Sequence, residues 1–137
     1  MTEEWNKIFI TPQKFHDDII KLCNIIPKDK YKYVIGLPRG GCIIAVYISH
    51  FCDLDYFEFE DFKHLDDLTN VIIADDLVDT GKTLKDLQVT EEQIDTAVVY
   101  YKPRSIIKPT YYVEEFKNTD WIVFPYEKID EIPNREI

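Results

Sequence analysis

No run in this chain is apolar and long enough to span a bilayer. The opening MTEEWNKIFI has neither a basic region nor the apolar core of a signal segment. Basic residues are outnumbered: 16 Lys and Arg stand against 26 Asp and Glu, for a formal net charge of -10. That balance argues against a broad nucleic-acid or anionic-membrane surface, yet permits one small anion held by backbone amides or a bound metal. Three cysteines occur (Cys23, Cys42 and Cys52), odd in number and without metal-type spacing. Two lie in apolar helical stretches, where a free buried thiol is the ordinary outcome, so a reducing, cytosolic compartment is expected. His16, His50 and His64 show no pattern with a partner and are assigned no chemistry.

What is present suffices for a core. The chain has 137 residues and is 45% hydrophobic, which predicts one packed domain over 1–137 rather than disorder. After a short KIFIT strand, TPQKFHDDIIKLC reads as a helix: Thr11 caps it, Pro12 suits the first position, and Phe15, Ile19 and Leu22 recur at helical spacing. Tyr33 to Leu37 reads as a buried strand, GCIIAVYISHF as a helix, and DYFEFED as a strand with one wet face. Val71 to Ala74 is a second buried strand, TLKDLQV a short helix and DTAVVYYKP a third strand; PTYYV and TDWIVFPYE follow as extended pieces. No chemical role is assigned to the acidic tail EKIDEIPNREI. Strands interleaved with helices predict an α/β fold with a mostly parallel central sheet and helices on both faces. Ligands of such sheets sit off the carboxyl ends of the strands, where LPRGG and DDLVDTGKT both fall.

The stretch VIIADDLVDTGKT could be mistaken for a nucleoside-triphosphate loop. Such a loop needs a glycine five places before Gly81, and Asp76 stands there, where its carboxylate would repel the phosphate. What remains is a strand, two adjacent acids, a third acid and a Thr-Gly-Lys-Thr turn opening a helix. The amides of Thr80, Gly81, Lys82 and Thr83 can hold one phosphate, with the acids upstream placed for sugar hydroxyls or a divalent metal. In LPRGG, the Arg39 guanidinium and the backbone at Gly40 and Gly41 can take a pyrophosphate. A phosphate, a ribose and a metal-chelated pyrophosphate together describe phosphoribosyl pyrophosphate (PRPP).

VIIADDLVDTGKT closely resembles the signature of the type I phosphoribosyltransferases, and YVIGLPRGG resembles their strand and pyrophosphate loop. VVYYKP and TDWIVFPYE look like the base-recognition segments of the bacterial xanthine-guanine members, and the opening KIFITPQKFHDDIIKLCNIIP fits their first strand and helix. The likeness runs through most of the chain. It implies PRPP binding by Arg39, Gly40, Gly41, Asp75, Asp76, Asp79 and Thr80 to Thr83, with Asp75 and Asp76 engaging the ribose hydroxyls and Mg2+. By position Asp76 is the metal-linked acid. Asp79 would be the catalytic base near the purine imidazole, Lys102 a donor to the six-position oxygen, Trp121 the stacking aromatic, and Ile122 a source of backbone contacts. A cis peptide is implied at or near Pro38-Arg39. The activity implied is transfer of phosphoribosyl from PRPP to guanine, xanthine or hypoxanthine in purine salvage, by a dimer or tetramer.

One stretch departs from the resemblance. The bacterial enzymes fold a long flexible loop, with a basic residue, over the site before the signature strand. Here only DYFEFEDFKHLDDLTN, residues 55–70, is available, and Lys63 is its one basic residue. Water exclusion protects a reactive sugar centre. The short stretch therefore keeps a second reading open, a catalytically weak regulatory protein that binds PRPP or a nucleotide in the same pocket.

Overall fold

The computed structural model describes residues 5–65, 67–87 and 94–128. Strand β1 (Asn6–Phe9) leads into helix α1 (Pro12–Ile25). Thr11 Oγ1 accepts from the Lys14 amide at 3.1 Å, and Pro12, which has no amide to leave unpaired, opens the helix. There follow β2 (Tyr33–Gly36), α2 (Gly40–Cys52), β3 (Asp55–Phe57), a 3-10 turn (Phe59–His64) and β4 (Val71–Val78). The chain continues through α3 (Lys82–Asp86), β5 (Asp95–Tyr101), β6 (Tyr111–Glu115) and β7 (Asp120–Val123). Among the described residues, no helix is long and apolar enough to cross a membrane.

Five strands form one parallel sheet in the order β3-β2-β4-β5-β6. Two faces need cover, as the near-continuous apolar runs of β4 and β5 anticipate. On one face α1 and α2 bring Ile19, Leu22, Ile44 and Ile48 onto Val34, Ile72, Ala74 and Ala97. On the other, Leu84 of α3 joins Phe59, Phe62 and Leu68 over Ile73, Val78 and Val98. β1 and β7 form a separate parallel pair, with Lys7 opposite Trp121 and Ile8 opposite Ile122.

Two expected elements change. DYFEFED is a strand only through Phe57, because Glu58 and Asp61 close a capping box that turns the chain into the 3-10 segment. Phe59 and Phe62 then fall three apart on its inner side, a helical spacing that the strand reading overlooked. Nor does β4 end at Ala74: it continues to Val78, with Leu77 opposite Tyr100 and Val78 opposite Tyr101. The two adjacent acids are therefore strand residues rather than turn residues. The end of TLKDLQV, from residue 88, lies outside the described residues, as do the side chain of Lys63 and the tail from residue 129.

Candidate active site

From β2 the chain moves outward to β3, then crosses back to β4 on the other side of β2. The crevice beyond the carboxyl ends of β2 and β4 is thus a topological switch point, the place where a parallel sheet receives a ligand. All four glycines of the chain, Gly36, Gly40, Gly41 and Gly81, belong to the segments that frame it. Two have a clear physical reason. A Cβ on Gly41 would come within 2.5 Å of the Ala74 carbonyl oxygen, so α2 begins hard against β4. Gly81 has φ +79° where the chain turns from Asp79 and Thr80 into α3.

Arg39 is exposed at the mouth of the β2 loop, and the Pro38-Arg39 peptide is cis, where the resemblance implies it. Arg39 and Gly40 line a cleft of about 270 Å3 together with Ile43, Tyr126, Glu127 and Lys128. The Tyr126 hydroxyl donates to Asp76 Oδ2, and both would collide with a Cβ on Gly40. Asp76 is half-buried; loss of hydration pushes its carboxyl up to about 6, and the nearby Glu127 charge pushes the same way. Its amide donates to Asp75 Oδ1 at 2.8 Å. Among the described residues no three acidic, histidine or cysteine side chains converge as a closed metal site. A single hard carboxylate beside an open loop nevertheless suits Mg2+, which keeps waters and takes substrate oxygens.

The second loop is held from below. Thr80 accepts at its carbonyl from the Ile106 amide at 2.9 Å, and its Oγ1 accepts from the Lys82 amide at 3.3 Å. Lys82 is exposed and Thr83 half-buried at the start of α3.

Asp79 and Lys102 form the buried end of the site, each only 1% exposed. The Lys102 amide donates to the Val78 carbonyl at 3.0 Å, and its Nζ lies 3.6 Å from Asp79 Oδ2. Burial lowers the Lys102 pKa from its ordinary value; Asp79 opposes the shift and Arg104 adds to it. Arg104 Nε donates to Asp79 Oδ1 at 2.6 Å. The Trp5 ring covers both cations, 5.0 Å from Lys102 Nζ and 5.6 Å from Arg104 Cζ. Trp121, half-buried on β7, carries the Lys7 ammonium 4.4 Å from its ring centre. Its neighbour Asp120 is close enough to raise the Lys102 pKa, which ties β7 to the same cluster, while Ile122 is buried behind it.

Arg104, Trp5 and Tyr126 were not singled out from the sequence. Arg104 stands two places after Lys102 in KPRS, a local signal that was available. Trp5 and Tyr126 reach the site only through the β1–β7 pairing and the turn after β7, which no spacing rule reveals.

A parallel sheet whose switch point carries a glycine-arginine loop on one strand and a strand-borne acid pair with a Thr-Gly-Lys-Thr turn on the next has the architecture of a phosphoribosyltransferase. Solved and curated proteins agree. The purine phosphoribosyltransferase of Pyrococcus horikoshii Ot3 superposes with a TM-score of 0.73 at 31% identity, covering 92% of this chain and 97% of that one. The xanthine-guanine phosphoribosyltransferase of Idiomarina loihiensis is 28% identical over 74% of each chain. That of Desulfotalea psychrophila is 26% identical over 93% of this chain and 91% of its own. No model of a known protein family matches the chain. The chain belongs to the type I phosphoribosyltransferase family and is similar to its bacterial xanthine-guanine members.

Proposed function

We propose that the protein transfers the 5-phosphoribosyl group of PRPP to a 6-oxopurine (guanine, xanthine or hypoxanthine), releasing pyrophosphate and a purine nucleoside monophosphate for salvage. The observation that carries this reading is the buried Lys102–Asp79 pair, at 3.6 Å, beside the loop that follows β4. A cation and an acid kept dry at that point match a base with an acceptor oxygen and a ring nitrogen that must lose a proton.

In this scheme the bond from the anomeric carbon to pyrophosphate breaks as the purine nitrogen forms its own bond there. Arg39, Gly40 and Gly41 hold the departing pyrophosphate, and the Thr80–Thr83 turn holds the 5-phosphate. Asp75 faces the ribose hydroxyls. Asp76 would hold Mg2+, which supplies charge neutralisation on the pyrophosphate oxygens. Asp79 takes the imidazole proton and Lys102 donates to the six-oxygen, while Trp121 and the Ile122 backbone fix the plane of the base. Adenine is disfavoured, since its amino group and Lys102 are both donors.

Incubation with Mg2+, PRPP and each purine in turn tests the reading. Nucleotide and pyrophosphate should appear in equal amounts, with oxopurines ahead of adenine; no product with any oxopurine refutes it.

One observation favours the binding-protein alternative. Phe59, Phe62 and Leu68 pack against the core, so the segment in the place of the mobile loop is pinned down. Asp79→Asn separates the readings. A transferase loses about 100-fold or more in kcat while nucleotide affinity holds, as expected of a proton acceptor. Equal loss of both sinks the base assignment.

A further inference from the structure

Cys23 and Cys52 are distant in the chain and adjacent in the fold. Cys23 lies on the buried side of α1, and Cys52 is the last residue of α2. Cys23 is 7% exposed within the core beneath these helices, and half-buried Cys52 packs against that core. The Cys52 Sγ donates to the Cys23 carbonyl oxygen at 3.5 Å. The two thiols are also hydrogen-bonded to each other, which holds the proton on Cys23 and lowers the Cys52 pKa. A single buried thiol is ordinary packing. Two thiols in contact across a helix pair, one dry and one partly open to solvent, are a reactive arrangement. The reachable sulfur ionises with a donor at hand, and a second sulfur stands beside it to resolve the product. Cys42 is out of their reach, on the first turn of α2 and about 15 Å along the helix from Cys52.

We propose that Cys23 and Cys52 are a peroxide-oxidisable dithiol whose disulfide clamps α1 to α2. The inference goes beyond the transferase reading and does not depend on it. The Cys52 thiolate attacks one oxygen of hydrogen peroxide; the O–O bond breaks, a sulfenic acid forms, and the hydroxide released takes up the proton that Cys52 gave away. Cys23 sulfur then attacks the Cys52 sulfur. The S–S bond forms as the S–O bond breaks, and the hydroxyl leaves with the Cys23 proton as water. Two thiols lose two electrons, and one peroxide becomes two waters.

The bond joins residues 29 apart in sequence, so it restricts the unfolded chain more than the folded one. It lies about 18 Å along α2 from Gly40, at the opposite end from the cleft, so oxidation secures the fold without touching Arg39 or Asp76. In a reducing compartment such a bond is transient and marks an oxidative response.

The full chain, treated with hydrogen peroxide, alkylated and mapped by mass spectrometry, tests this. One free thiol, Cys42, should remain of three, with a Cys23–Cys52 peptide pair lighter by two hydrogens; dithiothreitol should restore all three. The oxidised chain should melt about 5 °C or more above the reduced one. No loss of thiols, a bond to Cys42 or between two chains, or sulfinic acid on Cys52 beside a free Cys23 overturns the proposal. A disulfide that leaves the melting point where it was overturns the clamp. Cys23→Ser should accumulate a dimedone-trapped sulfenic acid on Cys52, whereas Cys23 in the Cys52→Ser protein should stay reduced over the same time. The opposite pattern overturns the assignment of Cys52 as the attacking sulfur. The wild-type map decides the pairing even where a variant fails to fold.

Discussion

Gly41→Ala is a sharp test of how the donor loop is built. The new methyl would sit 2.5 Å from the Ala74 carbonyl oxygen and 3.2 Å from Asp75 Cα, both backbone atoms that cannot rotate away. The deficit from an ordinary contact is about 1 Å, so the start of α2 must lift off β4. Alanine gains about 1 kcal/mol over glycine as a helix former, while overpacking of this kind costs about 1–3 kcal/mol. The net expectation is a loss of up to about 2 kcal/mol, or up to about 8 °C in Tm for a chain of this size. Because the same displacement separates Arg39 and Gly40 from Asp75 and Asp76, kcat/KM for PRPP should fall about tenfold or more. Thermal melts and initial rates over a PRPP series read both quantities. Val46→Ala, on the exposed side of the same helix at 46% exposure, is the control and should move neither. A G41A protein with the melting point and PRPP kinetics of wild type would falsify the argument that close contact between α2 and β4 sets the site.

Asp76 predicts a pH dependence. Its folded carboxyl keeps its proton up to about 6, whereas an unfolded one keeps it only to about 3.9, so the folded state binds more protons in between and stability falls as pH rises through that window. Denaturant titrations should show Asp76→Asn flatter than wild type, with a difference of at most about 2 kcal/mol gained from pH 4 to 7; parallel curves would refute the burial argument. The Tyr100 hydroxyl donates to the buried Asp18 at 2.7 Å, so Tyr100→Phe should cost about 1.5–3 kcal/mol in thermal melts and leave both KM values alone. Phe62→Ala should cost about 1–3 kcal/mol with kinetics unchanged if the 3-10 segment is a brace. Increased hydrolysis of PRPP in that variant would instead make the segment a cover.

Much of the sheet was legible because β2, β4 and β5 are apolar runs bounded by glycine, aspartate or proline, a pattern that buried parallel strands share. The donor loop and the phosphate turn were legible for a different reason. Backbone that must approach an anion or adopt a positive φ needs glycine, and all four glycines of the chain fall in the segments that frame the site. Where sidedness competes with local capping, the reading failed. DYFEFED alternates well enough for a strand, but Glu58 and Asp61 supply a cap that alternation cannot register. Asp75 to Val78 failed in the opposite sense: acids in the run hid four further strand residues, of which Asp75, Leu77 and Val78 pair with β5. Trp5 was beyond reach, since its place over Lys102 depends on β1 lying beside β7, more than a hundred residues away.

On the proposed reading, the two halves of the site differ in dryness. This bears on the short segment between β3 and β4. Asp79 and Lys102 are 1% exposed, whereas Arg39 is open to solvent on the cleft side. Water can therefore reach the pyrophosphate more readily than the face from which the purine attacks. A leaving group tolerates hydration, since departure into water costs it little; an attacking nitrogen does not, because water there competes for the same carbon. A mobile cover over the pyrophosphate is then less necessary than a closed acceptor end, and Trp5 over Lys102 and Arg104 supplies closure at that end. On that reading, the short segment between β3 and β4 and the buried acceptor end belong to one arrangement, with protection placed at the nucleophile rather than at the leaving group.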